Sequence, residues 1–137
     1  SWDICDSMCS NLFDKTKFAY QKAEEWSGRS EEFVKRAGFV IMAALSVHDK
    51  KANDEPFENF LEIVKREATD ERNFVRKAVN WALRQISKSR NINLYKKGLE
   101  TAYEIREINN KTARWIAGDA IRELESENIK KRLERLL

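Results

Sequence analysis

Two residues near the start of the chain have the types and the spacing to act on a cationic group. Trp2 and Asp6 are four residues apart, so a helix there would place the indole and the carboxylate on the same face, one turn apart. Together they would attract a cation, which suits a reaction that develops positive charge on a sugar or a base. The alternative is structural: a packed indole beside a surface or capping carboxylate.

A second candidate is a basic segment in the middle of the chain. Residues 1–70 carry 10 basic and 14 acidic side chains, whereas residues 71–137 carry 16 and 9. No acid lies between Glu71 and Glu100, where the basic residues are Arg72, Arg76, Lys77, Arg84, Lys88, Arg90, Lys96 and Lys97. This segment predicts a local positive field that favours an anionic partner.

Within this segment, a helix beginning near Asp70 is predicted to carry one polar, basic face. The residues whose spacing keeps them on that face are Asn73, Lys77, Asn80, Arg84 and Ser87 or Lys88. Trp81 borders the face. Cations that attract phosphates, beside an indole that packs on a base or a deoxyribose, favour nucleic acid as the partner. The alternative is that Trp81 belongs to the core and that the cations form a solvated face.

The remaining polar residues are predicted to have structural roles. Asp119 is expected to form an ion pair, and its candidate partners are Arg84, Arg114 and Arg122. Cys5 and Cys9 are four residues apart, which suits small buried side chains in a reducing, cytoplasmic protein. Because His48 is the one histidine, we expect no metal site. The sequence contains no serine or cysteine beside a base and no glycine-rich phosphate loop, which excludes triad hydrolases and nucleotide-binding folds.

The scarcity of turn-forming residues predicts an all-helical fold. Four glycines and one proline in 137 residues are too few for a β-sandwich or barrel. The sequence contains no run of 18 apolar residues, so no membrane span is predicted. Apolar periodicity indicates eight helices, over about 3–13, 16–27, 31–48, 56–68, 71–88 and 91–108, with two more after 112 and 126. Gly28 is expected to end the second helix in the left-handed conformation. The expected N-caps are Ser30, Asp70, Asn91 or Asn93, Thr112 and Ser126.

Two sets of residues recur every 41 positions along the chain. They are Phe33, Phe74 and Trp115, each opening an apolar helical stretch, and Ala23, Val64 and Ile105. Helix pairs that cannot bury their apolar faces alone stack on one another at such a period. We therefore predict a single domain over 1–137, a HEAT-like or armadillo-type α-solenoid of antiparallel helix pairs with a concave face. Such folds bind proteins more commonly than nucleic acid.

Four segments are similar to motifs of one protein family, in the family's order. They are Ser-Trp-Asp-Ile-Cys-Asp at 1–6, Glu-Glu-Phe-Val-Lys-Arg-Ala at 31–37, Ala-Thr-Asp-Glu-Arg-Asn-Phe-Val-Arg-Lys-Ala-Val-Asn-Trp-Ala-Leu-Arg-Gln-Ile at 68–86 and Ala-Arg-Trp-Ile-Ala-Gly-Asp-Ala-Ile-Arg-Glu-Leu at 113–124. The chain resembles the DNA alkylation repair family, whose members are HEAT-like-repeat glycosylases that hydrolyse the N-glycosidic bond of N3- and N7-alkylated purines in double-stranded DNA. The resemblance implies no metal and no cofactor. We expect no membrane association, and we infer no obligate protein partner.

The resemblance also implies roles for individual residues. The active-site group, two aromatic side chains and a carboxylate, would be Trp2, Trp81 and Asp6. The cations that contact backbone phosphates would be Arg36 and Arg84, and the polar face adds Lys77 and Lys88 to the expected DNA-binding residues.

One departure from the family concerns the start of the chain. Family members carry further helices before the Trp-Asp-x-x-Asp segment, so we expect this chain to be the C-terminal part of a longer protein and to bind DNA weakly by itself. The enzymatic activity is therefore predicted for the longer protein, and inactivity of residues 1–137 alone would be compatible with it. The alternative function is a non-catalytic solenoid that binds DNA or an acidic protein through the stripe from Lys77 to Lys97.

Overall fold

The computed structural model describes residues 16–135, and this part of the chain is helical without a strand. Its seven helices are α1 (Thr16–Ser27), α2 (Glu32–His48), α3 (Glu55–Arg66), α4 (Asn73–Ser89), α5 (Ile92–Arg106), α6 (Lys111–Leu124) and α7 (Glu127–Glu134). The all-helical prediction is confirmed. The helix predicted over 3–13, with both cysteines, lies outside the described residues.

The helices pack in two layers that enclose the core. In one layer α4 lies between α2 and α6, and in the other α3 packs against α1 and α5. Ala23, Val64 and Ile105, three residues separated by 41 positions, are all buried in the second layer, in α1, α3 and α5. The layers are consistent with an α-solenoid. Burying large apolar side chains between them stabilises the fold by roughly 1.5–3 kcal/mol each.

The helix starts confirm part of the predicted capping. Asn91 accepts a hydrogen bond from the Leu94 amide at 2.9 Å, and Ser126 caps α7. Pro56 lies in the first turn of α3, where its missing N–H leaves no donor unpaired. The side chains of Asn91 and Ser126 accept hydrogen bonds from amides that have no partner inside their own helices.

Four predictions about helix ends were wrong. Gly28 follows α1 without the left-handed conformation. Ser30 donates to the Glu31 carboxylate and caps no helix. Asp70 accepts from the Arg72 amide ahead of α4, so it stabilises the preceding turn instead of the helix. Asn110, two residues before the predicted cap Thr112, accepts from the first turn of α6.

Arg90 fastens the connection between α2 and α3. Its guanidinium donates to the backbone carbonyls of Ser46, Asp49 and Ala52 and lies 4.3 Å from the centre of the Phe57 ring. Arg90 belongs to the basic segment predicted from the sequence, but its guanidinium binds backbone carbonyls of this chain. Its hydrogen bonds satisfy carbonyls that the loop leaves without helical partners.

The helices α4 and α5 approach each other closely at Gly98. A methyl group built there would lie 1.8 Å from Oγ of Ser87 and 2.5 Å from its Cβ. The Ser87 hydroxyl is buried and donates to the Leu83 carbonyl at 2.7 Å. Glycine is required here because a side chain has no room between the helices.

Candidate nucleic-acid interface

The solvent-facing side of α4 carries a row of basic residues around an indole. We call this row the α4 face, and its members are Lys77, Trp81, Arg84 and Lys88. Lys77 is exposed and forms no ion pair with the described residues, whereas Trp81 is half-buried and packs against the core. Packing against the core therefore holds the indole in place.

The predicted polar face of this helix needs one correction. Asn80, which we placed on it, is buried, and of the two alternatives for its last position Ser87 is buried and Lys88 is partly exposed. Asn80 is 3% exposed because it faces α6, where its Nδ2 donates to the Ile116 carbonyl at 3.1 Å. Buried polar groups of this kind are tolerated because they are hydrogen-bonded.

Arg84 is held in a fixed orientation by its neighbours. Its Nε donates to Oδ1 of Asn80 at 2.9 Å, and its Nη1 donates to Oε1 of Glu123 at 3.3 Å. The Asp119 carboxylate is 3.7 Å from the same Nε. The guanidinium therefore lies between α4 and α6, with Nη2 free of any hydrogen bond to the described residues.

Lys88 shares the Glu123 carboxylate with Arg84. Its Nζ is 3.0 Å from Oε2. Burial raises the pKa of Glu123, but the hydrogen bond from Lys88 and the charges of Lys88 and Arg84 outweigh it and lower that pKa. Glu123 is thus a carboxylate at neutral pH, and two of the cations expected to contact DNA are paired with it.

Asp119 has the structural ion pairs expected of it. Its carboxylate is 3.7 Å from Arg84 and 3.6 Å from Nη2 of Arg122. The third candidate, Arg114, instead donates to Asn109. Asp119 and Glu123 lie one turn apart on α6, facing the basic row, and that spacing of four is the sequence signal that could have revealed Glu123.

Arg36 lies on α2, next to a pair of exposed aromatic rings. Its guanidinium is 6.0 Å from the centre of the Phe33 ring and 5.5 Å from that of Phe74. Arg36 is 5% exposed, so in this conformation it offers little surface to a duplex. Its role as a phosphate contact stays a prediction.

The aromatic residues spaced by 41 positions occupy corresponding places at one edge of the first layer. Phe33, Phe74 and Trp115 lie in the first two turns of α2, α4 and α6 and are all exposed, Phe33 by 62%. The rings of Phe33 and Phe74 are 5.8 Å apart, and Arg76 lies 4.5 Å from the Trp115 ring centre. Cations near ring faces gain from the ring quadrupole, and this orders the edge.

Two of the three predicted active-site residues, Trp2 and Asp6, lie outside the described residues, so their position relative to Trp81 stays a prediction. In residues 16–135 no group of three potential ligands could hold a metal ion. None of the helices in that part of the chain is both long and apolar enough to span a membrane.

The comparisons with known proteins agree with the motifs found in the sequence. A model of the family described as DNA alkylation repair enzyme matches residues 1–124, which include the α4 face and both acidic residues of α6. No curated protein and no solved structure matches the chain. Because the match extends over most of the sequence, the chain belongs to the DNA alkylation repair enzyme family.

Proposed function

We propose that this chain is the catalytic part of a DNA glycosylase that hydrolyses the N-glycosidic bond of N3- and N7-alkylated purines in double-stranded DNA. Family membership supports a role in DNA alkylation repair. The observation that carries the proposal is the placement of Trp81 between Lys77 and Arg84 on the solvent side of α4. An indole flanked by cations suits a ligand that combines phosphates with sugars and bases.

The chemistry of the substrate explains why so few residues are needed. An N3- or N7-alkylated purine already carries positive charge, so it leaves readily without strong protonation. As the bond to the anomeric carbon breaks, the base departs neutral and the sugar becomes a cation. Asp6 would stabilise that cation and hold the water that adds to it, and would accept the proton which the water loses. Trp2 and Trp81 would each add about 1–2 kcal/mol of cation–π attraction if desolvated.

The helical layers fit this proposal as a HEAT-like solenoid. In that arrangement α2, α4 and α6 would line the concave side, and the α4 face would lie against the backbone of the duplex. Contacts to phosphates position a protein on DNA without reading its sequence. Such binding suits an enzyme that must find a chemical lesion in any sequence context.

The proposal is tested by replacing the carboxylate. We expect Asp6→Asn to lower the release of 7-methylguanine or 3-methyladenine from methylated duplex at least 100-fold, with little change in DNA affinity, because electrostatic stabilisation acts on the transition state. Asp3→Asn is the matched control, since it makes the same change three residues earlier. The assay uses the longest available form of the protein, with base release by the unmodified protein as the reference, and the same rate of release in Asp6→Asn would refute the catalytic assignment.

A non-catalytic DNA-binding solenoid is the second candidate, and one observation favours it. The carboxylates of the described residues nearest to the α4 face, Asp119 and Glu123, are paired with Arg84, Lys88 and Arg122, so they do not supply a free catalytic acid. The two carboxylates therefore favour a role in holding the binding surface over a role in catalysis. Duplex binding without any release of base, in the longest available form of the protein, would establish this alternative.

A further inference from the structure

The carboxylate of Glu123 joins two cations of the α4 face, and we propose that it is an internal competitor for DNA phosphate that weakens duplex binding and sets its salt dependence. This inference rests on the proposed function, because it assumes that the α4 face contacts the duplex. The inference adds Glu123 of α6 to the residues that determine DNA affinity, because its ion pairs with Arg84 and Lys88 compete with phosphates for these cations.

The geometry of the pairing resembles that of a bound phosphate. One carboxylate oxygen of Glu123 is 3.0 Å from Nζ of Lys88, and the other is 3.3 Å from Nη1 of Arg84. Two oxygens of a phosphate could take the same two donors at similar distances. The side chains of Lys88 and Glu123 are 17% and 31% exposed, so an incoming anion can reach the pair.

Arg84 would keep its place if the Glu123 carboxylate were neutralised, and Lys88 would be released. Arg84 is fixed by Asn80, which is itself buried and bound to the Ile116 carbonyl across the helix interface. Asp119 also remains beside the guanidinium at 3.7 Å. Lys88 has no other ion-pair partner in residues 16–135, so its charge would become available to a phosphate.

The charge balance of the surface gives the direction of the effect. The α4 face and the facing side of α6 carry four cations and two carboxylates, which are Lys77, Arg84, Lys88, Arg122, Asp119 and Glu123. Neutralising Glu123 removes one of two negative charges that repel a duplex. It also removes the cost of breaking two charge-assisted hydrogen bonds before a phosphate can bind.

The test is duplex binding by Glu123→Gln over a range of salt concentrations, measured by fluorescence anisotropy with an unmethylated labelled duplex. We expect about 3- to 10-fold tighter binding at low salt, and a plot of log affinity against log salt that is steeper by about one unit, because one more phosphate is neutralised. The matched control is Glu58→Gln, which breaks an ion pair with Lys97 at 2.6 Å on the opposite layer. It changes net charge equally and should leave both quantities unchanged.

A second variant links any gain to the lysine. In a background that already carries Lys88→Gln, we expect Glu123→Gln to tighten binding by no more than about twofold, since only Arg84 is then released. Thermal melts confirm that each variant is folded.

The outcomes separate the inference from the function beneath it. If the unmodified chain binds duplex and Glu123→Gln binds equally or more weakly, the inference is overturned while the DNA-binding function stands. If neither protein binds at any salt concentration, both are overturned. Binding by the Glu123→Gln variant alone would support both, because it would show that the carboxylate masks the cations.

Discussion

The contact between Gly98 and Ser87 gives a stability prediction whose size follows from the structure. In Gly98→Ala the new methyl group would meet Oγ of Ser87 at 1.8 Å, its Cβ at 2.5 Å and its Cα at 3.2 Å. A rotation of the serine side chain removes the first clash but leaves the other two, so α5 must move away from α4. Overpacking of this kind costs about 1–3 kcal/mol.

Two further contributions modify that cost. Moving the Ser87 hydroxyl breaks its buried hydrogen bond to the Leu83 carbonyl, which adds about 1 kcal/mol. Alanine is a better helix former than glycine by about 1 kcal/mol, which offsets the loss of the hydrogen bond. The expected decrease in the free energy of unfolding is therefore about 2 kcal/mol, or roughly 4–8 °C in Tm for a chain of this size.

The assay is urea unfolding followed by helical circular dichroism, with Gly118→Ala as the control. A methyl group on Gly118, also within a helix, would meet only Nη1 of Arg122, at 3.7 Å. That variant should be as stable as the original or more stable by up to about 1 kcal/mol. Restoring space with Ser87→Gly in the Gly98→Ala background should recover part of the loss. Equal unfolding midpoints for Gly98→Ala and Gly118→Ala would refute the close-approach argument.

Two more predictions concern polar groups that hold the helices in place. Hydrogen bonds from Arg72 and Lys35 lower the pKa of Asp70 despite its burial. The carboxylate therefore stabilises the fold above its unfolded pKa near 4, and this stabilisation is lost as pH falls toward the folded pKa. Asp70→Asn should cost about 2 kcal/mol at pH 7 and progressively less in acid, as measured by urea unfolding across pH. Arg90→Ala removes the donors to one carbonyl in the last turn of α2 and to two carbonyls of the following loop, so we expect a loss of about 2–3 kcal/mol and faster proteolysis between α2 and α3. Unchanged cleavage in Arg90→Ala, or a pH-independent loss in Asp70→Asn, would contradict these expectations.

The sequence predicted the helices better than their ends. α1 was predicted over 16–27 and lies over Thr16–Ser27, because amphipathic periodicity defines the body of a helix. α3 and α5 each end two residues earlier than predicted, at Arg66 and Arg106. The predicted N-cap was wrong where two polar residues could serve, as at Asn110 and Thr112. The path of the preceding chain decides which of the two side chains reaches the free amides of the helix.

The sequence predicted the basic residues of the candidate site but not the carboxylate of Glu123 that pairs with two of them. Helical spacing placed Lys77, Arg84 and Lys88 on one side of α4, where the structure has them. It placed Asn80 there as well, because periodicity gives a direction around the helix axis and not the width of the contact with α6. Glu123 is 35 residues beyond Lys88, and pairing over that separation depends on how two helices align.

The link between Asn80 and α6 has a consequence for how the chain tolerates change. Its acceptor is the main-chain carbonyl of Ile116, which every amino acid supplies. Replacing the side chain of Ile116 therefore leaves this hydrogen bond intact as long as the helix keeps its register. On α4, by contrast, the amide side chain of Asn80 is needed to bind both the Ile116 carbonyl and Arg84. The two sides of this contact are thus unequally free to mutate: a substitution at Ile116 that keeps the helix register should preserve the hydrogen bond, whereas a single exchange at Asn80 should lose it.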